Sequence, residues 1–432
     1  MVTRSETEAH ACSEYRRLSR RQFLASTSLA AAMVAVPAWL PRVAVAKNYS
    51  SGVRDVVISL YLRGGIDGLS VLVPWADPAY YAARPNLSVP RPDSGASRKA
   101  IDLTGFFGVH PALAPLLTAY NNQHLLFVHA CGSSDTTRSH FEAQRSMETA
   151  LIGEPDAMTG WLGRHIGSSA SMVPGSLLRG VGMAPGLQKS LQGGPFTLPI
   201  MNLDGFGLLG NGNGPARSAA LGAMYQATTE PLKSIGHNTL QTISLLDTID
   251  FAAYTPGAGA VYPTTMTGTA LKSVAALIKA QVGVEAIAID VATWDHHNSQ
   301  GVMTGSFNSM LIDLANCLAA FYADMMSVAT NPTFTLVAMS EFGRRLADNG
   351  SRGTDHGFAN MMMVMGNCVK GGRVVAHWPG LNAENLFQGQ DLAVTIDYRD
   401  VLAEIVQRRL GNNELGYVFP GFVPVDRNIT RC

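Results

Sequence analysis

Cysteine, charge and long apolar runs are all scarce in this sequence. Five cysteines among 432 residues, none in closely spaced pairs, argue against a disulfide-framed scaffold or a zinc ribbon. Charged residues make up only 15%, and 32 basic side chains balance 32 acidic ones, so the formal net charge is zero. Such a chain has no bulk electrostatic hold on nucleic acid, and none is expected as a partner. Beyond the first 46 residues no stretch is long and apolar enough to cross a bilayer, so no stable membrane anchor is expected. Apolar residues, by contrast, are plentiful at 47%. That is too many for a disordered chain and enough for one large core.

The N-terminus reads Ser19-Arg20-Arg21-Gln22-Phe23-Leu24, then an alanine-rich run to Leu40, then Ala44-Val45-Ala46. A basic region, a modest apolar region and a small-residue cleavage site are the parts of a signal peptide. The paired arginines resemble the twin-arginine type, which is read by a receptor. Residues 1–46 are therefore expected to be removed, leaving residues 47–432 as one exported domain, periplasmic or secreted. The twin-arginine translocation machinery is the expected partner. Cys131 ends a strand-like run and Cys317 sits in a helical one, which suits buried free thiols. The sequence assigns no disulfide.

Short apolar runs at 54–62, 124–131, 284–292, 333–339 and 361–366 end in glycine, serine or aspartate and suit strands buried on both faces. Helical patterns fall between them at about 110–120, 140–150, 268–281, 303–328 and 397–410. The alternation predicts an α/β sandwich around a central, mostly parallel sheet between helices. Residues 185–265 are rich in glycine, proline, serine and threonine and read as a loop-rich insertion with helices near 215–249. Its run 205–214 lacks the ending of a phosphate-binding loop.

In open α/β sheets ligands gather at the carboxyl ends of strands. Those positions carry Arg63-Gly64-Gly65-Ile66-Asp67, Asp135-Thr136-Thr137-Arg138-Ser139-His140, Trp294-Asp295-His296-His297, Ser340-Glu341-Phe342-Gly343-Arg344-Arg345 and Gly353-Thr354-Asp355-His356-Gly357. Aspartate oxygen and histidine nitrogen suit a divalent metal, zinc or manganese. Asp67, Asp295, His297, Asp355 and His356 are the expected metal ligands. Thr137 or Ser139, at a helix start, is the candidate nucleophile or anion contact. Each residue also has a plainer role. Asp67 suits a turn, Ser139 and Glu142 a capping box, Asp295 a helix cap near Gly301, and Arg344 and Arg345 a solvent-facing strand end. His110, His124, His129, His165 and His237 are assigned to packing or surface.

Together these segments resemble the exported family called domain of unknown function 1501. The resemblance rests on Leu62-Arg63-Gly64-Gly65-Ile66-Asp67-Gly68-Leu69, His110-Pro111-Ala112-Leu113, Thr137-Arg138-Ser139-His140-Phe141, Gly160-Trp161-Leu162-Gly163-Arg164, Glu341-Phe342-Gly343-Arg344, Gly353-Thr354-Asp355-His356-Gly357 and Trp378-Pro379-Gly380-Leu381. That family looks like a member of the alkaline phosphatase and sulfatase superfamily. The resemblance implies an alkaline phosphatase-like sandwich and, in chain order, a metal-binding Asp67, a nucleophile at Thr137 or Ser139, Asp295 with His297, and Asp355-His356. The pattern also departs from that superfamily. His296 competes with His297, Glu341 stands where a ligand would emerge, and only His377 could supply a final histidine. A single-metal site is compatible with these departures. The expected function is metal-dependent hydrolysis of a small anionic substrate, a phosphate or sulfate ester, with Arg138 neutralising the anion. The alternative is an inactive binding or assembly protein on the same scaffold.

Overall fold

The structure, a computed structural model, describes residues 54–203, 206–208, 214–247, 249–329 and 332–431. The signal-peptide reading of residues 1–46 lies outside the described residues, as does part of the glycine-rich run 205–214. The described chain divides into two compact units. The larger unit is built on a nine-stranded sheet. Its strands are β1 (Val56–Leu62), β2 (Leu125–Gly132), β3 (Gly180–Met183), β4 (Thr197–Pro199), β5 (Ala286–Val291), β6 (Phe334–Met339), β7 (Asn360–Gly366), β8 (Arg373–Val375) and β9 (Ile396–Asp397). Their order is β8-β2-β7-β6-β1-β5-β3-β4, with β9 beside β2. Every pairing is parallel except those of β7, which runs antiparallel to both β2 and β6.

Helices cover both faces, as continuous burial of the strands requires. The helices of seven or more residues among the described residues are α1 (His140–Thr149), α2 (Trp161–Ser168), α3 (Gly214–Gln226), α4 (Leu232–Leu246), α5 (Met266–Lys279), α6 (Ser306–Met325) and α7 (Tyr398–Glu404). Alternate residues of β1 point to opposite layers. Ile58, Leu60 and Leu62 share a core with Leu271, Val274 and Leu277 of α5 and with α6. Val57 and Tyr61 share another with Trp161 and Ile166 of α2 and Val401 of α7. On α6 the buried residues Phe307, Leu311, Leu314, Leu318, Phe321 and Met325 recur at helical spacing, so one stripe of a long helix meets the sheet. Each fully buried leucine or phenylalanine contributes about 1.5–3 kcal/mol.

All five expected strands form. The sequence reading missed β3, β4, β8 and β9, which have at most four residues each and too little pattern to read. The stretch 185–265 supplies β4 to the sheet edge as well as α3 and α4. The smaller unit holds α3 and the first part of α4. Within it the Tyr225 ring lies against Gly236, and His237 Nε2 meets Gln226 Oε1 at 3.0 Å. No helix among the described residues is long and apolar enough to cross a membrane. Cys131 and Cys317 are buried free thiols, while Cys368 is disulfide-bonded.

Three buried histidines are held neutral by the fold. His110 Nδ1 accepts from Ala112 N at 3.1 Å and its Nε2 meets Val302 O at 2.9 Å. His129 Nδ1 accepts from Ala130 N at 2.8 Å and its Nε2 meets Leu72 O at 2.9 Å. His165 Nδ1 meets Asn412 Nδ2 at 3.1 Å. Each ring is locked neutral with Nδ1 as acceptor. Burial pushes His110 and His129 down to about 4 and His165 down to about 3, from an ordinary value of 6.5. The unfolded chain binds these protons first, so their contribution is complete above pH 6.5 and is lost as pH falls toward 4 and then 3. Urea melts at stepped pH should show stability falling by several kcal/mol across that window, on the order of the summed shifts. Replacing His129 with Gln should flatten the slope; an unchanged slope would clear His129 of this role.

Candidate metal centre

The sheet topology collects five loops on one rim. β1, β2, β5 and β6 end there, and β7 starts there because it alone is reversed. The Asp355-His356 loop therefore reaches the rim from before its strand, whereas Asp295 and His297 reach it after theirs. Close backbone contact holds the loops together. A Cβ on Gly64, which has φ +116°, would fall 2.7 Å from Asp295 N, and one on Gly353 would fall 2.3 Å from the His297 carbonyl carbon. Only glycine fits at these positions. Asn360 Nδ2 donates to Ile66 O and Phe342 O at 3.0 and 2.6 Å, tying two more loops together.

Asp295 is the centre of the group. His356 Nε2 lies 3.2 Å and His297 Nε2 3.0 Å from its Oδ1, and His140 Nε2 lies 3.4 Å from its Oδ2. The Nε2 atoms of His297 and His356 face each other at 3.0 Å. His140, Asp295 and His356 together present ligand atoms close enough to share one cation. Each imidazole is held from behind at Nδ1. His140 Nδ1 meets Glu341 Oε1 at 2.7 Å, His297 Nδ1 meets Asp355 Oδ1 at 3.3 Å, and His356 Nδ1 meets Arg138 O at 2.8 Å. An acceptor at Nδ1 fixes the proton there and leaves the Nε2 lone pair free, which is how metal-binding histidines are oriented.

These donors fit a divalent cation. Two Nε2–H groups facing each other at 3.0 Å would repel, so at least one carries a lone pair. His140 Nε2 is buried without a hydrogen-bond partner. Zinc bonds of about 2.0–2.1 Å in a tetrahedron place donor atoms about 3.3 Å apart, close to the spacings here. Burial alone would raise Asp295, yet the Arg344 guanidinium at 2.7 Å and the neighbouring histidines hold its carboxyl down to about 2. Burial likewise opposes ionisation of Glu341, but His140, Gln144 and the Gly64 amide keep its carboxyl below the usual range. The hydrogen bond from Asn349, at 3.1 Å, leads in lowering Asp355. Burial lowers His356.

The structure brings together Asp295, His297 and His356 of the five expected ligands. Asp355 stands one layer back, behind His297. Asp67 is not part of the group. Both its oxygens are taken by Arg84 at 2.6 and 2.9 Å, with Ser70 at 2.6 Å and Gln300 at 2.7 Å on Oδ2. His296 turns away, its Nδ1 on Trp294 O and its Nε2 3.2 Å from Ser306 Oγ. His377 is exposed and stands outside the group. The Arg138 guanidinium, expected to face an anion, binds Asp391 at 2.6 Å. Arg344 does not face solvent but is buried, donating to the carbonyls of Gly64, Gly65, Trp294 and Thr354 as well as to Asp295. Asp295 does not cap α6, whose N-cap is Gly305.

The hydroxyls are resolved too. Thr137 Oγ1 donates to Glu142 Oε2 at 2.6 Å and accepts from Ser139 N at 3.2 Å. The expected capping box is therefore not made, and Ser139 begins α1 with no side-chain cap bond. Ser139 stands between Arg138, whose carbonyl holds His356, and His140. The sequence left open whether His140 or Glu341 is a ligand. Their signal, a histidine at a helix start and a glutamate after a strand, is common in any α/β protein.

Residues 220–415 match the model of a family described as "Protein of unknown function (DUF1501)". Among solved structures, the C-terminal periplasmic domain of EcEptC from Escherichia coli, in complex with zinc, overlaps with a TM-score of 0.33 at 11% identity, covering 74% of each chain. The phosphonate monoester hydrolase of Agrobacterium radiobacter overlaps with a TM-score of 0.28 at 10% identity, covering 74% of this chain and 70% of its own. No curated protein matches the sequence. With scores this low, the chemistry of the site rests on its own side chains.

Proposed function

We propose that this chain is an exported, metal-dependent hydrolase of the alkaline phosphatase-like type, acting on a small phosphate or sulfate ester. One observation carries the reading: three imidazoles, each held at Nδ1 by an acceptor, turn Nε2 toward a single carboxylate. His140, Asp295 and His356, with His297 beside them, would hold one divalent cation, and imidazole-rich donors favour zinc over manganese. Such an ion supplies Lewis acidity to an ester oxygen and lowers the pKa of an oxygen nucleophile.

Among the side chains that touch the imidazoles or Asp295, three carboxylates (Asp295, Glu341, Asp355) oppose one guanidinium (Arg344). That leaves two negative charges, which one divalent ion would balance. Ser139 Oγ is the attacking or anion-contacting group, at the positive end of α1. Thr137 positions the Ser139 amide. The Arg20-Arg21 signal supports export, and a disulfide at Cys368 suits an oxidising compartment.

Metal analysis of the purified chain, followed by arylphosphate and arylsulfate assays, tests this. One zinc per chain with turnover is expected. Ser139→Ala should lose turnover by about a hundredfold or more while keeping zinc, and Thr137→Val should keep most of both. Loss of zinc with Ser139→Ala, or turnover unaffected by it, would remove Ser139 from the chemistry. A second reading, a non-catalytic binding protein on this scaffold, is favoured by the capture of Asp67 by Arg84, which denies the site a further carboxylate. Stoichiometric zinc with no turnover on any ester would select it.

A further inference from the structure

The most deeply buried charged group beside the imidazoles is Glu341, whose side chain has no exposure to solvent. Four donors converge on it. Oε1 accepts from His140 Nδ1 at 2.7 Å, Gln144 Nε2 at 2.8 Å and Gly64 N at 2.8 Å, and Oε2 accepts from Ser340 Oγ at 3.0 Å. The Gln144 amide has its own restraint, since Arg63 Nη1 donates to its Oε1 at 3.0 Å. Arg63 is in turn held by Glu148 at 3.1 Å and Asp290 at 2.9 Å. The contacts form a chain from the ends of β1 and β5 through α1 to the imidazole. At its far end His140 Nε2 is buried and has no hydrogen-bond partner.

We propose that Glu341, oriented by Gln144 and Arg63, is the positioning residue that makes His140 a cation ligand. It does so by holding the proton on Nδ1 and aiming the Nε2 lone pair at Asp295. The proposal rests on the cation reading above. A carboxylate behind a ligating histidine fixes the tautomer and raises the basicity of the ring, and loss of such a partner costs roughly 10–100-fold in metal affinity. His297 and His356 lack a partner of this kind. The carboxylate behind His297, Asp355, is 46% exposed, and a neutral carbonyl stands behind His356. The His140–Glu341 pair is therefore the one that most strongly sets affinity.

The test is zinc titration of the purified full chain against a chromophoric chelator. Glu341→Gln should weaken zinc binding by about 10–100-fold, and Glu341→Asp, which keeps the charge, should bind more tightly than Glu341→Gln. In a His140→Ala background Glu341→Gln should change nothing further, because the ring it positions is gone. Gln144→Ala should weaken binding by a smaller factor with melting temperature unchanged, and it serves even if Glu341→Gln folds poorly. Wild-type affinity in Glu341→Gln or in Gln144→Ala overturns the proposal. So does an equal loss from Glu341→Gln with and without His140. If the wild-type chain itself takes up no zinc, the cation reading fails first, and this proposal with it.

Discussion

Asp295→Asn is expected to cost the protein its metal. The carboxylate is the one group in contact with all three Nε2 atoms, at 3.0, 3.2 and 3.4 Å. A neutral amide there removes the only anionic donor in the group and puts an N–H or a weak acceptor among three imidazoles. The fall in zinc affinity should exceed the roughly 10–100-fold typical of losing an outer partner, and ester turnover should fall with it. Stability should fall much less. Asp295 also balances the buried Arg344 guanidinium, but the aspartate is 41% exposed and Arg344 keeps its carbonyl partners. A loss of about 1–2 kcal/mol is expected for such a screened pair. Chelator competition and urea denaturation on the same sample separate the two effects. Wild-type zinc affinity in this variant would displace Asp295 from the centre.

Asp67→Asn should do the reverse. Asp67 and Arg84 are 2% and 0% exposed, and their two-pronged contact is completed by Ser70 and Gln300. Arg84 also donates to the carbonyls of Arg345 and Leu346. Removing one charge leaves a guanidinium buried without its counter-ion, which costs about 3–5 kcal/mol. The folded fraction should still bind zinc with near wild-type affinity. A variant that keeps its stability and loses zinc would return Asp67 to the ligand set. The opposite responses at Asp295 and Asp67 distinguish a cation ligand from a structural ion pair, two roles that look alike in sequence.

The scaffold was legible because its signals are local. Val56–Leu62 and Phe334–Met339 are apolar runs of strand length, and strands buried on both faces must look like that. Asp355-His356 was legible because the pair sits in one glycine-flanked loop. Asp67 misled because an aspartate among glycines at a strand end reads the same whether it meets a metal or an arginine. Its actual partner, Arg84, is 17 positions on and carries no mark of that role. The role of His140 stayed open in the sequence because its support, Glu341, is 201 positions away. That the Thr137 hydroxyl is bonded to Glu142 was visible only in the structure.

By itself, then, the sequence determined the five longest strands and the named helices other than α2, the alternation that makes a parallel sheet, and the stock of carboxylates and imidazoles delivered to one rim. Periodicity and burial act over neighbouring residues, so they can be read along the chain. Tertiary structure decided which aspartate meets arginine, which histidines converge, and which nitrogen of each ring carries the proton. Those choices depend on contacts near 3 Å between segments up to 233 positions apart, created by the reversed direction of β7 and the close approach of loops at Gly64 and Gly353.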